Sequence, residues 1–238
     1  TVYNLTAPVA YCDGDAGVTI TLSNSQTGVN YQLYNSLGTD GPPLPGNDGT
    51  PLTWTPKTTE TYYVIATNTV TNCSQMMNGT VSPVINFVMG GEIGTDQTIC
   101  EGTSPLPFTS TENGSGGGSV TYQWQVSNDN VTFTDISGAT SAVYSPSALN
   151  QDTWYKRTAF STMGTSVCSD ESNVIMVTIN SFDPGSIGDV QTICEGTEPG
   201  PLTSVSPTGK AGAVFTYQWK NSADGVTFSN IDGAVDET

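Results

Sequence analysis

The chain has no histidine, and only five of its 238 residues are lysine or arginine. Histidine is the side chain whose ordinary pKa lies near neutrality and the commonest metal ligand, so its absence removes the usual general base and the usual metal anchor. No catalytic residue is expected. Twenty-two acidic residues leave a formal charge of −17. A field of that sign repels phosphate backbones and anionic lipid heads, so nucleic acid and direct membrane insertion are excluded as partners. No apolar run reaches the roughly 20 residues that a membrane-spanning helix needs. No window places apolar residues at helical spacing, and no basic start followed by an apolar stretch marks an export signal. Thr1 already lies in a patterned segment, so any such signal is expected upstream.

Small and turn-forming residues are plentiful instead: 26 glycines and 14 prolines, with long tracts of Thr, Ser and Asn. Apolar residues make up 35% of the chain and aromatics 9%, enough for real cores, and the length fits two or three domains of ordinary size.

The organising feature is an internal repeat. Gln97-Thr98-Ile99-Cys100-Glu101-Gly102-Thr103 returns unchanged as Gln191-Thr192-Ile193-Cys194-Glu195-Gly196-Thr197, 94 residues on. Tyr122-Gln123-Trp124 returns as Tyr217-Gln218-Trp219 and Val131-Thr132-Phe133 as Val226-Thr227-Phe228, now 95 residues on. The extra residue falls in the Gly/Ser-rich stretch from Glu112 to Ser119, which reads as a loop tolerant of insertion. A more distant copy precedes these: Tyr11-Cys12-Asp13-Gly14 stands for the cysteine motif, Tyr31-Gln32-Leu33 for Tyr-Gln-Trp, Thr61-Tyr62-Tyr63 for Thr153-Trp154-Tyr155, and Cys73 for Cys168. The domains expected are residues 1–89, 90–181 and 182–238. The third is incomplete, because nothing in it answers to Trp154, Cys168 or the strand from Val174 to Ile179.

A period of this length exceeds solenoid units and suits one sandwich domain of about 100 residues. Within each copy the apolar residues alternate: Val120, Tyr122, Trp124, Val126; Phe215, Tyr217, Trp219; Val29, Tyr31, Leu33. Period two means a strand with one face in the core. Turn signals such as Asn128-Asp129-Asn130 and Ala223-Asp224-Gly225 recur at intervals of about ten residues, the signature of a sandwich. The fold class expected is all-β, tandem immunoglobulin-like β-sandwiches, two complete and a third truncated. Trp124, Trp219, Tyr122, Tyr217, Tyr31, Leu33 and Tyr62 are the expected core.

Five cysteines read as two pairs within copies, Cys12 with Cys73 and Cys100 with Cys168, plus Cys194 without a partner. With no histidine and no Cys-x-x-Cys, a metal site is the weaker reading. Closing a loop of about 68 residues stabilises a domain by roughly 4 kcal/mol on the chain-entropy account. Such bonds imply an oxidising, extracellular setting. Cys100 precedes the Trp124 strand and Cys168 follows the Tyr155 strand, so each bridge is expected as a clasp near the entry end of its domain, not across the core.

Other chemistry is sparse. The paired acids Asp13 and Asp15, or Asp170 and Glu171, lie in turn-like segments without apolar neighbours to raise a pKa, so glycosidase chemistry is not expected. Calcium is the one cofactor the sequence suggests, with Asp13, Asp15, Asp96 and Glu101 as candidate ligands and Asp170 and Glu171 nearby in pattern, although no complete ligand loop is visible. Trp54, Trp124, Trp154 and Trp219 are candidate sugar platforms, yet their repetition between copies is the behaviour of core positions. Lys156 and Arg157 must face opposite sides of one strand. One of them is expected to lay its stem along the sandwich and pair with a carboxylate.

Ile99-Cys100-Glu101-Gly102, Tyr122-Gln123-Trp124, Thr153-Trp154-Tyr155-Lys156-Arg157, Cys168 and Asn173-Val174-Ile175-Met176-Val177 resemble the immunoglobulin-like repeats of giant Bacteroidota surface adhesins, including gliding-motility adhesins exported by the type IX secretion system. The first copy departs from that pattern, with Leu33 for the tryptophan and Val64-Ile65 for the basic pair. The resemblance implies a structural or adhesive stalk held on the bacterial outer surface, with neighbouring repeats, surface polysaccharide or other cell-surface proteins as partners. It supplies no catalytic residue. The alternative is an accessory carbohydrate-binding or spacer module of an exported polysaccharide-degrading enzyme.

Overall fold

The alternation of inward and outward side chains becomes strand in the first two copies: the computed structural model describes residues 1–188 and 190–236, and no helix forms among them. The first copy contains β1 (Leu5–Thr6), β2 (Ala10–Cys12), β3 (Val18–Leu22), β4 (Val29–Asn35), β5 (Gly38–Thr39), β6 (Leu44–Pro45), β7 (Leu52–Lys57), β8 (Tyr63–Asn68), β9 (Ser74–Met76) and β10 (Val84–Asn86). One antiparallel sheet runs β1-β3-β7 and the other β5-β4-β8-β9, with β6 also on β4. The first strand segment leaves the antiparallel arrangement to pair parallel with the last, β2 with β10, Cys12 opposite Asn86. Between the sheets lie Leu5, Ile20, Leu22, Tyr31, Leu33, Trp54, Tyr62, Val64, Ala66 and Met77. Ile20 and Leu22 are the inward residues of β3, Tyr31 and Leu33 those of β4, and Val64 and Ala66 those of β8, as a period of two requires.

The second copy contains β11 (Val88–Met89), β12 (Glu92–Ile93), β13 (Gln97–Cys100), β14 (Ser110–Glu112), β15 (Ser115–Gly116), β16 (Ser119–Ser127), β17 (Thr134–Asp135), β18 (Thr153–Met163), β19 (Ser166–Glu171) and β20 (Ile175–Asn180). Its spine is the antiparallel pair β16 and β18, in register from Ser119 opposite Thr162 to Ser127 opposite Trp154. Strand β17 extends β16, and β19 extends β18. Facing them are the pairs β11 with β15 and β12 with β14, and a bridge between Phe108 and Tyr144. Phe108, Trp124, Tyr144 and Tyr155 form one aromatic cluster, with ring centres 4.9 Å apart for Phe108 and Tyr155 and 5.7 Å for Trp124 and Tyr144. The Trp124 indole N–H donates to the Ser141 carbonyl at 2.8 Å, which lets a polar aromatic be wholly buried.

The glycine-rich segment before β16 is not a slack loop. Ser115–Gly116 is paired strand, and a Cβ at Gly118 would stand 2.1 Å from the Thr162 carbonyl oxygen, so the glycines let two backbones close up. The strand frame also shifts the expected alignment by one. Leu33 faces Val64 as Trp124 faces Arg157, so Tyr62 answers to Tyr155 and not to Trp154. Burial agrees: Tyr62 and Tyr155 are inside, while Trp154 is only half-buried.

The third copy contains β21 (Phe182–Asp183), β22 (Ser186–Gly188), β23 (Thr203–Val205), β24 (Thr208–Gly209), β25 (Lys220–Asn221) and β26 (Ser229–Asn230). Strands β21 and β24, β22 and β23, and β25 and β26 pair antiparallel. Local structure repeats closely: Trp219 donates to Asp236 O as Trp124 does to Ser141 O, and Gln218 donates to the Trp219 and Ile231 carbonyls as Gln123 does to those of Trp124 and Ile136. Asp224 caps the N–H groups of Val226 and Thr227 as Asp129 caps those of Val131 and Thr132. These donors hold the Asp129 carboxyl down to about 2 and keep Asp224 well below the usual range. The expected strand Phe215–Trp219 does not form, and Tyr217 and Trp219 are half-buried rather than core. Among the described residues no strand pairs with 215–219 as β18 pairs with β16, and Tyr217 and Trp219 line an open cavity with Ile187, Val205 and Phe228 instead of a closed core.

By compactness the chain divides into two units, Thr1–Thr95 with Pro107–Ser145 and Trp154–Met176, and Asp96–Leu106 with Pro146–Thr153 and Val177–Thr238. The first holds both sandwich cores described above. In the second, β13 runs parallel to β20 with Gln97 opposite Val177 and Cys100 opposite Asn180, and the Ile179 N–H donates to Asp152 Oδ1 at 2.7 Å.

Two outcomes are expected. Trp124→Ala removes the largest fully buried side chain of the second copy and lowers unfolding free energy by about 3–5 kcal/mol in urea denaturation. Burial pushes the Tyr155 phenol from 10.0 up to about 12. A pKa raised on folding contributes stability that is whole below the unfolded value and lost as pH rises through the folded one. The melting temperature, followed by circular dichroism, is therefore expected to fall more steeply between about pH 10 and 12 in the natural chain than in Tyr155→Phe.

Candidate functional site at the junction of the first two copies

The one disulfide among the described residues joins Cys12 to Cys168, with Cα atoms 5.5 Å apart and a sequence separation of 156. This corrects both expected pairs. Cys73 and Cys100 are exposed free thiols, as is Cys194. The reason lies in strand placement. Cys12 ends β2, which packs with β10 against β19, and Cys168 occupies the middle of β19. Cys73 follows the turn of the β8–β9 hairpin, its carbonyl bonded to the Asn68 N–H, away from that packing. The bridge thus links two successive copies instead of clasping one.

A buried polar cluster surrounds the bridge. Asn86, directly across from Cys12, is fully buried. Its Nδ2 donates to the carbonyls of Ser161 at 2.8 Å and Ser166 at 3.3 Å, and its Oδ1 accepts from Ser161 Oγ at 2.6 Å. Ser161 Oγ also accepts from the Gly118 N–H, and the Gly117 N–H reaches the Phe87 carbonyl. Further along, the Gly90 N–H donates to Asp170 Oδ2, and Asn173 bonds both N–H and C=O of Ile93. The segment from Asn86 to Ile93 is therefore fastened to the second copy at every second or third residue, its buried amides satisfied by side chains.

The basic pair divides as alternation requires. Lys156 pairs with Glu171 at 2.6 Å and lies over the Phe133 ring. Arg157 is wholly buried without a carboxylate: its guanidinium donates to Ser110 Oγ, to the Ala142 carbonyl and to the Gly90 carbonyl, and its Cζ sits 4.3 Å above the Tyr122 ring. Burial lowers its pKa below the usual guanidinium range, the carbonyls and ring faces serving as its counter-charge.

Other expected site residues separate. No three acidic or cysteine side chains gather into a metal site among the described residues. Asp13 and Asp15 lie in the exposed turn after β2, and Asp96 and Glu101 flank β13 at opposite ends, roughly 16 Å of extended chain apart, so the four do not make a calcium site. Asp170 and Glu171 are engaged with Gly90 and Lys156. Of the expected core, Trp124, Tyr31, Leu33 and Tyr62 are buried and Tyr122 is half-buried beneath Arg157. Trp54 is buried, and Trp154 is half-buried. Asn86 and Ser161 escaped the sequence reading, although Asn86 recurs as Asn180 at the offset of the cysteine motif.

The family model described as "Domain of unknown function (DUF8696)" matches residues 89–181 and again residues 183–238. No curated protein matches the chain. Among solved structures, an I-band fragment from titin is 14% identical with a TM-score of 0.44, over 76% of this chain and 65% of that one. A second titin fragment is 14% identical with a TM-score of 0.46, over 74% and 65%. An E-to-A variant of a titin three-Ig fragment is 11% identical with a TM-score of 0.44, over 92% and 84%. The chain spans less than two thirds of the length of the first two.

Asn86→Ala is expected to leave the Ser161 hydroxyl without its acceptor and to remove a donor from the Ser161 and Ser166 carbonyls, costing about 1–3 kcal/mol in urea denaturation with the disulfide intact. A loss too small to measure would show the cluster to be incidental.

Proposed function

The chain belongs to the family described as domain of unknown function DUF8696, and from the way its copies are joined we propose that it is a load-bearing stalk segment of a large secreted surface filament or adhesin. The carrying observation is the Cys12–Cys168 bridge, which ties one copy to the next at a junction already closed by Asn86 and Ser161. Such a tie keeps successive copies from parting under load. A persistent disulfide fits an oxidising, extracellular location. A charge of −17 keeps extended chains soluble and apart. The partners in this reading are adjoining repeats and cell-surface proteins or polysaccharide met at the tip of the filament. Gliding motility and export by the type IX system are the specific setting, supported by the resemblance of the cysteine and tryptophan motifs. No enzymatic activity is part of the proposal.

Single-molecule stretching from the two termini tests this. With the bridge closed, the chain between Cys12 and Cys168, a sequence separation of 156, stays out of the extensible contour. Adding a reductant is expected to lengthen full extension by roughly 500 Å, at about 3.3–3.6 Å per residue. Equal extension with and without reductant would refute the load-bearing role.

A further inference from the structure

Cys100 repeats the setting of Cys12. Each ends a short strand that runs parallel to the last strand of its own copy, and each stands across from an asparagine, Cys12 from Asn86 and Cys100 from Asn180. At the first of these edges Asn86 is buried under the β18–β19 hairpin and Cys12 is bonded to it. At the second, Cys100 is a free thiol and both it and Asn180 are exposed. Cys73 repeats the setting of Cys168 in the same way. Cys168 faces Ser161 across the β18–β19 hairpin, and the Cys73 carbonyl accepts from Asn68 N–H at 2.9 Å across the β8–β9 hairpin. Leu33 against Val64 and Trp124 against Arg157 fix that equivalence, since Asn68 and Ser161 are each four residues beyond.

We propose that the Cys100–Asn180 edge is a docking site for a second hairpin of the β18–β19 kind, carried by a following copy and closed by a disulfide to Cys100, and that Cys73 is the matching acceptor for a copy that precedes. The proposal rests on the stalk reading and gives it a rule: the cysteine of each motif bonds the hairpin of the next copy and never that of its own. Closure joins two thiol sulfurs and gives two protons and two electrons to a small disulfide oxidant, such as oxidised glutathione, which becomes two thiols.

The whole chain tests the rule when a second copy of residues 144–181 is appended after Thr238, which continues the third copy in phase and supplies one new hairpin cysteine. After equilibration in a glutathione redox buffer, peptide mapping under non-reducing conditions is expected to find Cys12 still bonded to Cys168, Cys100 bonded to the appended cysteine, and Cys194 free. Cys100→Ser is expected to leave the appended thiol open to alkylation, and Asn180→Ala to slow its capture without disturbing Cys12–Cys168. A bond from Cys194 to the appended cysteine, which is closure within one copy, overturns the proposal. So does a free appended thiol in a chain whose Cys12–Cys168 bond is intact. Either result leaves the stretching experiment to be judged by itself, because that experiment depends on Cys12–Cys168 alone.

Discussion

The antiparallel pair formed by β16 and β18 is what the rest of the second copy depends on. Nine residue pairs hold it in register and put Trp124 opposite Arg157. Phe108 and Tyr144 pack tilted against the indole, the guanidinium lies against Tyr122, and β17 and β19 extend the pair outward. The third copy shows what the pair contributes. It has the same Tyr-Gln-Trp, the same amide bonds from Gln218 and the same capped turn at Asp224. Among the described residues there is no counterpart of β18 beside 215–219, which form no strand, and Trp219 is half-buried. Local hydrogen bonding thus survives where tertiary pairing is missing, as expected when turn chemistry is local and sheet formation is not.

Joining copies, rather than sealing each one, changes what the cysteines do. A bridge inside a sandwich would stabilise that sandwich alone. The Cys12–Cys168 bridge instead limits how two successive copies can part, and the buried Asn86 cluster fixes the same boundary by hydrogen bonds. The two devices fail under different conditions, one to reductant and the other to water entering the cluster.

Fold class was legible from period-two patterning because burial on one face of a strand writes itself directly into the sequence: Tyr31, Leu33 and Trp124 are interior as the alternation implies. Partner choice was not legible. Cys12, Cys73, Cys100 and Cys168 admit several pairings, and spacing favours the nearest, whereas the strands place β2 beside β19. Arg157 was hidden for a related reason. A charged residue reads as surface until three-dimensional contacts supply carbonyls and ring faces to receive it. The glycines before β16 read as a loop because composition reports flexibility and close approach with the same residue. The recurrence of Asn86 as Asn180 was visible, but an asparagine in a chain rich in asparagine carries meaning only once its burial is known.

The caged guanidinium of Arg157 has a consequence for the solutions in which the chain can work. An ion pair with an exposed partner, such as Lys156 with Glu171, weakens as dissolved ions accumulate. Contacts to carbonyl dipoles and aromatic faces around a wholly buried guanidinium are hardly reached by mobile ions. The second sandwich therefore keeps its central cation in place in brine as firmly as in fresh water.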